Sequence, residues 1–477
     1  MQQVIKSLFK KQDMTNGRPL AVIVRFSIPL LIANIAQLLY NTTNSLIVGN
    51  LISSQALASV GVCTPLWNLF FTFFMTVGTG VSVVVAQYFG ANNKEQLSRS
   101  ISTSIVLALI ATVTIAVLGI PLSGPLLHLI KVNEEIFGWS HRYLMIMFAG
   151  AIGLGFFNVL SGILRGLGDS ISPLIILLGT SVLNIGLVFL FVGVFQLGVA
   201  GAAIATVISQ TLSAIFCLIR LLRMRDITGF TLKAVKLYRD VVGYILKVGV
   251  PPGIQQVVLT TSEALIQFLV NGIIVFTAAG VPNQTIFISA HAMFVTVNSM
   301  ATLPTQALNL GSSTFAGQNI GAGRFDRVNR SFISLMITSV AIATVMFAVI
   351  RLWGGSILTL FIDMGEANAG EIIAWGVKIQ RIMVWCYYGS LLISVPAGIM
   401  RGAGNTLPVM FIALFCTVGL RMPMAYIWVR SGVSEAMPGG NYVGLFASMA
   451  ICTAIAGVMT FIYYISGRWK RSIAVKT

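Results

Sequence analysis

The chain contains two copies of one sequence block, and both copies lie among long apolar runs. Gly80 to Ser100 is GVSVVVAQYFGANNKEQLSRS, and Gly311 to Ser331 is GSSTFAGQNIGAGRFDRVNRS. Two copies of one helical unit in an apolar chain predict two membrane bundles that face each other, with a substrate site between them. The repeat makes transport the first functional hypothesis. Identical residues occupy the pairs Gly80/Gly311, Ser82/Ser313, Gln87/Gln318, Gly90/Gly321, Ala91/Ala322, Arg99/Arg330 and Ser100/Ser331.

The duplication extends beyond this block. Pro29 and Pro251 begin corresponding apolar spans, and GILRGLGDS from Gly162 matches GIMRGAGNT from Gly398. Each half holds an even number of predicted spans, so the halves share one orientation and are related by an axis along the membrane normal. The Arg-Gly-x-Gly sequences in these segments favour tight turns at the membrane surface over a phosphate cradle.

The composition requires a membrane protein. Of 477 residues, 56% are hydrophobic and 9% are charged, far below the roughly 25% charged residues of a soluble domain. Apolar runs of about 20 residues, the length of a membrane-crossing helix, recur without the alternation of a β-barrel. We predict an all-α integral membrane protein with about twelve transmembrane helices in two pseudo-symmetric six-helix bundles. The predicted spans are residues 22–49, 56–89, 97–120, 139–164, 171–195, 199–222, 241–276, 287–320, 328–353, 372–400, 407–429 and 442–465.

Basic residues concentrate on one side of this topology, which accounts for the net charge of +17 without nucleic acid. By the positive-inside rule both termini are predicted to be cytoplasmic, in a multi-pass protein of the inner (plasma) membrane. The opposite side is comparatively acidic, with Glu134, Glu135, Asp363, Glu366, Glu371 and Glu435. The predicted segments are an arm at 1–21 without a signal-peptide core, a first bundle at 22–222, a linker at 223–240, a second bundle at 241–466 and a tail at 467–477.

The sequence lacks the motifs of several chemical classes. All five cysteines lie inside apolar runs without a CxxC pair, so we expect neither a disulfide nor a metal site. A Walker motif, a nucleophile elbow, paired catalytic carboxylates and zinc-ligand spacing are all missing. We therefore expect no cofactor, and the chain is predicted to be neither an ATP-driven pump nor an intramembrane enzyme.

One acidic residue, Glu263, lies deep within a predicted span, and we expect it to be the sole buried acid. The polar residues around it recur at intervals of three and four and so share one helix face. An intramembrane carboxylate is functional by default, so we predict that this face lines a cavity. Polar packing between helices is the alternative. The face consists of Gln256, Thr260, Glu263, Gln267 and Asn271.

The first span carries a matching face of amides, and the repeat places Asn41 opposite Glu263. Amides can ligate a cation or bind a substrate, but they bring no charge. The two cavities are therefore predicted to differ electrostatically, with structural packing of the amides as the competing interpretation. This face consists of Asn34, Gln37, Asn41 and Asn44.

Two further residues in the second half are candidates. His291 shares helical spacing with Asn298, Thr302, Thr305 and Asn309 in the eighth span. We favour a hydrogen-bonded structural role for it over a proton site, because no second ligand is visible. Arg421 lies within the eleventh span and needs a partner there, for which Glu263 is the candidate.

Together these segments resemble the multidrug and toxic compound extrusion (MATE) family, in particular its DinF-like bacterial branch. The segments on which this resemblance rests are the duplicated block, the Arg-Gly-x-Gly turns at Arg165 and Arg401, LYNTTNSLIVG from Leu39 and LNIGLVF from Leu183. The resemblance implies efflux of organic cationic or amphipathic compounds by antiport against H⁺ or Na⁺, through rocking of two six-helix lobes. It covers nearly the whole chain.

The family's cation site maps onto this chain with its charges missing. The resemblance places the family's two carboxylates on Asn44 and Val188, and its Asn and Thr on Asn184 and Thr206. A first-lobe site that attracts a cation by carboxylate charge is therefore in doubt. We predict that ion coupling has moved to Glu263 in the second lobe. The candidate substrate or cation-binding residues are Gln37, Asn41, Asn44, Asn184, Thr206, Gln256, Gln267, Asn298 and Arg421.

Two other functions stay open. A flippase of lipid-linked or other amphipathic precursors would need a basic cavity, for which Arg381 and Arg421 are the candidates near the spans. A membrane receptor or scaffold that does not transport would explain the lost carboxylates. The expected partners of a transporter are small organic cations or amphipathic drugs and the lipid bilayer, with the protein working as a monomer.

Overall fold

A helix or a bent pair of helices occupies each predicted span in the computed structural model. The structure describes residues 13–232, 235–276, 282–362, 364–365, 368–433 and 440–472. The acidic residues Asp363, Glu366 and Glu435, and the first twelve residues of the predicted arm, lie outside the described residues. So do residues 473–477 of the predicted tail.

The first half contains seven long helices. They are α1 (Pro19–Leu51), α2 (Ser54–Gly90), α3 (Lys94–Leu129), α4 (Glu134–Ala149), α5 (Ala151–Gly166), α6 (Ile171–Val188) and α7 (Gly198–Leu222). A π-helical turn, Phe189–Val194, continues α6. The short helix α8 (Arg225–Thr228) lies in the linker.

The second half repeats this arrangement. Its helices are α9 (Arg239–Gly272), α10 (Gln284–Gly321), α11 (Phe325–Leu358), α12 (Ala369–Met383), α13 (Cys386–Gly402), α14 (Leu407–Leu414), α15 (Met422–Ser431) and α16 (Tyr442–Ile465). A second π-helical turn, Phe415–Arg421, joins α14 to α15. The strands β1 (Val275–Phe276) and β2 (Pro282–Asn283) pair antiparallel between α9 and α10, where the sequence predicted helix up to residue 276. Short 3₁₀ turns occupy Thr359–Phe361 and Arg468–Ser472.

Length and apolar composition identify nine single helices that can span a membrane in the described part of the chain. Two bent pairs, α4 with α5 at 47° and α12 with α13 at 48°, raise the number to eleven. The remaining predicted span is α9, whose polar residues make it less apolar than the others. The all-α, two-bundle prediction is confirmed.

The repeat is visible in how the helices pack. A Cβ atom on Gly162 of α5 would lie 2.3 Å from the carbonyl oxygen of Gly78 on α2. The equivalent Gly398 on α13 has the same relation to Asn309 on α10, at 2.8 Å. Small residues that permit such close backbone approach are the usual means of helix association in membranes. The glycines of the duplicated segments therefore hold the same helix pair together in each bundle.

The bundles share a hydrophobic core on one side only. Residues 13–18 and the turn after α16 lie at this side, which we call the termini side. Ile23 and Phe26 of α1 pack into the core of the second bundle beside Phe315. Reciprocally, Ile245 and Val248 of α9 pack into the core of the first bundle.

The apolar clusters of the opposite half each come from one bundle. One cluster around Phe287 and Phe446 belongs to the second bundle, and another around Val188 and Val199 belongs to the first. Within the described ranges no such cluster joins the two bundles there, and we describe the space between them on the side away from the termini as a cleft. We call that side the cleft side.

Candidate functional site

A polar cavity of about 240 Å³ lies inside the first bundle. Helix α1 supplies one wall and α7 supplies Thr206 and Gln210, while aromatic rings such as Trp67 and Tyr143 close the rest. No acidic side chain is among the lining residues. Gln37, Asn41 and Asn44 all line it because their spacing of four and three places them on one face of α1. The structure therefore brings these three predicted residues together with Thr206.

A smaller cavity of about 90 Å³ continues from it toward the termini side. Gln37 and Gln210 line both cavities, so the two form one polar path through the bundle. Asn34 and Arg165 line the far end. The amide face of α1 is thus exposed to internal space along its length rather than buried in helix contacts.

Tyr40 also lines the larger cavity, although no sequence pattern singled it out. Its side chain is 7% exposed, and Asn44, Thr206 and Gln210 surround its hydroxyl group. The Tyr40 hydroxyl, Asn44 Oδ1 and Gln210 Oε1 are buried without a hydrogen bond of good geometry. Buried oxygens of this kind need a donor or a cation. The cavity is therefore suited to a water, an ion or a cationic group.

Asn184 and Val188, the other two positions taken from the family, are not among the residues that line the larger cavity. Asn184 on α6 is fully buried, and neither atom of its amide has a hydrogen-bond partner. Val188 is fully buried in the apolar cluster with Ile47 and Val48. An aliphatic side chain in an apolar cluster cannot ligate an ion, so the carboxylate expected at this position has no substitute there.

In the second bundle, the polar face of α9 continues the face by which this helix packs on the first bundle. The same face carries Gly249 and Gly253 nearer the termini side, where they pack closely on Gly80 and Thr76 of α2. Beyond that contact the helices separate, and Gln256, Thr260, Glu263 and Asn271 are exposed. That this face lines a cavity stays a prediction.

The prediction that Glu263 is a buried acid is wrong. Its side chain is exposed, because the bundles are apart at its level. The buried acid is Asp169, which is 5% exposed on the termini side and pairs with Arg220 at 2.8 Å. Sequence reasoning assumed that a residue deep in a span is buried, whereas a cleft makes such a residue accessible.

A hydrogen-bonded network occupies the cleft-side end of the second bundle. His291 Nδ1 lies 3.1 Å from Gln267 Oε1, and Gln267 Nε2 donates to Asn271 Oδ1 at 2.8 Å. His291 is 5% exposed and packs against Phe446, as the favoured structural role requires. Asn298 Oδ1 accepts a hydrogen bond from the Tyr387 hydroxyl at 3.2 Å. Gln267 and Asn298 are therefore engaged within the bundle in this conformation.

Arg421 ends the π-helical turn Phe415–Arg421, and its guanidinium is incompletely paired. Its Nε and Nη2 atoms are buried without a hydrogen-bond partner. Glu263 is close enough for its charge to act on Arg421. Among the described residues, however, the two do not approach within the 4.0 Å of an ion pair. Glu263 and Arg421 therefore interact through their charges at a distance and do not form the salt bridge of a direct pair.

Two glutamines from the duplicated block join the bundles on the termini side. Gln87 Nε2 donates to the carbonyl oxygen of Gly402 at 2.7 Å, and Gln318 Nε2 donates to that of Gly166 at 2.9 Å. Gln87 Oε1 accepts a hydrogen bond from the Tyr244 hydroxyl. Gln318 Oε1 accepts one from the Met14 backbone amide at 3.0 Å. Both glutamines are fully buried. We call these two reciprocal bonds the glutamine latch.

Glycines make this latch possible. A Cβ atom on Gly90 would lie 1.9 Å from the Gln318 carbonyl oxygen, and one on Gly321 would lie 1.9 Å from that of Gln87. Only glycine permits this approach of α2 and α10. The identity of both glutamines and both glycines in the duplicated block was the signal for this contact, but the sequence alone did not show that they meet.

Two pseudo-symmetric helical bundles that are joined at one side are the architecture of many secondary transporters. A protein-family model, MatE, matches residues 29–190 and 261–427, which together exceed half of the chain. The chain therefore belongs to the MATE family of multidrug efflux transporters.

Similar proteins cover the whole length of the chain. The probable multidrug resistance protein YpnP of Bacillus subtilis (strain 168) is 28% identical over 461 residues, 97% of this chain and 98% of that protein. A crystal structure of MATE in the bent conformation superposes with a TM-score of 0.86 at 22% identity, covering 98% of this chain and 100% of that one. The structure of an outward-facing conformation of a multidrug resistance MATE family transporter superposes with a TM-score of 0.85 at 22% identity. The match covers 97% of this chain and 100% of that one. These two structures support the fold.

Proposed function

We propose that this protein is an antiporter that exports organic cationic or amphipathic compounds in exchange for H⁺ or Na⁺. The observation that carries the proposal is the arrangement of the cleft. It is closed on the termini side by the glutamine latch, and on the other side it is accessible and lined by polar groups. Alternating access requires a molecule that can close one side of a central site while the other is open.

The orientation follows from the basic residues. With the termini in the cytoplasm, as the positive-inside rule favours, the closed side faces the cytoplasm and the cleft faces outward. Bound compounds would leave, and the coupling ion would enter, from this side of the plasma membrane. The protein would work as a monomer, because each chain holds both bundles and the cleft between them.

Glu263 is the proposed coupling residue. It is an acid on the cleft-lining face of α9, it is exposed to the cleft, and it lies within electrostatic reach of Arg421. A carboxylate that has taken up H⁺ or Na⁺ no longer attracts a cationic compound, so the ion and the compound compete for one charge. Neutral oxygens around Tyr40 in the first bundle would bind the compound or accompany the ion without supplying that charge.

The test is dye efflux from proteoliposomes under an imposed Na⁺ gradient or pH gradient, each applied alone. We expect one gradient to drive efflux by the wild-type protein and Glu263→Gln to abolish the gradient-driven part. Glu263→Asp should retain part of it because the charge is kept. Glu95→Gln removes an exposed carboxylate on the termini side. It is the matched control and should leave the gradient-driven efflux unchanged. Unchanged efflux by Glu263→Gln would disprove the coupling role, and absence of efflux under both gradients would disprove antiport.

A further inference from the structure

A basic crevice lies on the outer surface of the second bundle, away from the cleft between the bundles. It has a volume of about 40 Å³ and opens between α11 and α12. Its polar lining consists of Arg351, Gln380 and Arg381, with no acidic side chain. Neither arginine forms a hydrogen bond or an ion pair within the described part of the chain. Two arginines beside each other without an anion are costly near a membrane.

Gln380 contributes a buried amide to the crevice. Its side chain is 3% exposed, yet neither its Oε1 nor its Nε2 atom has a hydrogen-bond partner. A Cβ atom on Gly354 of α11 would lie 2.4 Å from Gln380 Oε1, so glycine is needed there to accommodate the amide. Gln380 and both arginines line one small space, and amide and guanidinium donors suit the oxygens of a phosphate.

The depth of the crevice matches the headgroup region of the bilayer. Helix α11 has 34 residues and is about 51 Å long at 1.5 Å per residue, compared with about 30 Å of hydrocarbon. About 10 Å therefore projects from each face if the helix is centred, and Arg351 lies seven residues before its cleft-side end. That places the guanidinium near the boundary between hydrocarbon and headgroups.

The surroundings are those of a lipid interface. Trp353 and Trp385 are 56% and 61% exposed on the same two spans, and such amphipathic rings are enriched at headgroup level. Lys378, one turn before Arg381, lies over the Trp375 ring at 3.8 Å and adds a third positive charge. The basic residues also stand on the side that the positive-inside rule leaves poor in cations.

We propose that this crevice binds the phosphate of an anionic phospholipid in the leaflet on the cleft side. The volume is that of one or two water molecules, at about 30 Å³ each. Phosphate oxygens fit this space while the glycerol and acyl chains stay in the bilayer. Arg351 and Arg381 ligate the phosphate, and Gln380 Nε2 donates to the same group.

The experiment is native mass spectrometry of the full-length protein released from nanodiscs that contain phosphatidylglycerol and phosphatidylcholine in equal amounts. We expect the wild type to retain one tightly bound phosphatidylglycerol. The double variant Arg351→Gln/Arg381→Gln should lose it, with at least about a tenfold lower bound fraction. Gln380→Leu should lower retention less, because both charges stay. The matched control Arg223→Gln/Arg225→Gln removes two exposed arginines of the termini side and should retain the lipid.

Folding and the source of phosphate are tested separately. Thermal unfolding in detergent should show that the double variant is folded, and Arg351→Lys/Arg381→Lys provides a second variant that keeps the charge while it loses the bidentate geometry. We expect that variant to show intermediate retention. Equal retention of phosphatidylglycerol by wild type and double variant would overturn the proposal. Displacement of the lipid by millimolar inorganic phosphate would overturn the assignment to a lipid and indicate a site for the free ion.

Discussion

Asn44 shows how a single missing charge changes the larger cavity of the first bundle. Its Oδ1 atom, the Tyr40 hydroxyl and Gln210 Oε1 are neutral oxygens that make no hydrogen bond of good geometry. Hard cations prefer oxygen ligands, and a carboxylate among them raises affinity. We expect Asn44→Asp to create an Na⁺ site that stabilises the folded protein by mass action. The melting temperature of the variant should rise by about 3 °C when NaCl replaces choline chloride, while the wild type changes little.

The control for this substitution is Asn34→Asp. Asn34 lies on the same face of α1 but lines the smaller cavity, away from Tyr40. A carboxylate there adds the same charge without the surrounding oxygens, so its response to Na⁺ should stay at the wild-type level. An equal rise in both variants would mean that charge alone, and not the oxygen set around Tyr40, determines the effect.

Individual residues of α1 and α9 show what could and could not be predicted from the sequence. The positions of Gln37, Asn41 and Asn44 on one lining face follow from helical periodicity alone. The role of Tyr40 does not, because nothing local distinguishes a tyrosine that faces a cavity from one that faces lipid. The exposure of Glu263 depends on the separation of the bundles, which is a property of the whole molecule in one conformation.

At the scale of helices, the glycines of the repeat determine how α2 meets α5. A Cβ atom on Gly162 would lie 2.3 Å from a backbone oxygen, which cannot move aside as a side chain does. We expect Gly162→Ala to destabilise the protein by about 1–3 kcal/mol through overpacking. The matched substitution Gly179→Ala on α6 meets no atom within 4 Å and should be neutral or stabilising by about 0.5–1 kcal/mol. Thermal unfolding in detergent separates the two, and equal melting temperatures would contradict the packing argument.

Other features of the helices could not be predicted from the sequence. The two π-helical turns, Phe189–Val194 and Phe415–Arg421, occupy corresponding spans of the two bundles. Phe189–Val194 is an apolar run, whereas Phe415–Arg421 contains Thr417 and Arg421. Neither segment contains the proline that usually interrupts a helix, so the change of helix type could not be predicted. Such turns occur often at functional sites, and the second one places Arg421 near Glu263. The spans were predictable from hydropathy, whereas their internal irregularities arise from packing.

At the scale of the whole molecule, the glutamine latch determines which side of the protein is closed. Each glutamine donates to a carbonyl oxygen of the opposite bundle, and both side chains are fully buried. A hydrogen bond of this kind contributes about 0.5–1.5 kcal/mol net. The latch as a pair therefore favours the closed termini side by about 1–3 kcal/mol, or about 5–150-fold in population. The double variant Gln87→Leu/Gln318→Leu should shift the protein toward a state that is open on the termini side.

Electron spin resonance distances measure this shift directly. Spin labels at Arg223, which ends the first bundle, and at Lys470, which follows the second, lie on the termini side and are exposed. In a background whose native cysteines are replaced by alanine, we expect the double variant to gain a population at longer distance. Gln306→Leu, which removes a glutamine that contacts only Thr302 of its own helix, should leave the distribution unchanged. Because each single glutamine keeps one reciprocal bond, single variants should show smaller gains. An unchanged distribution in the double variant would mean that the shared apolar cores, and not the latch, hold the termini side closed.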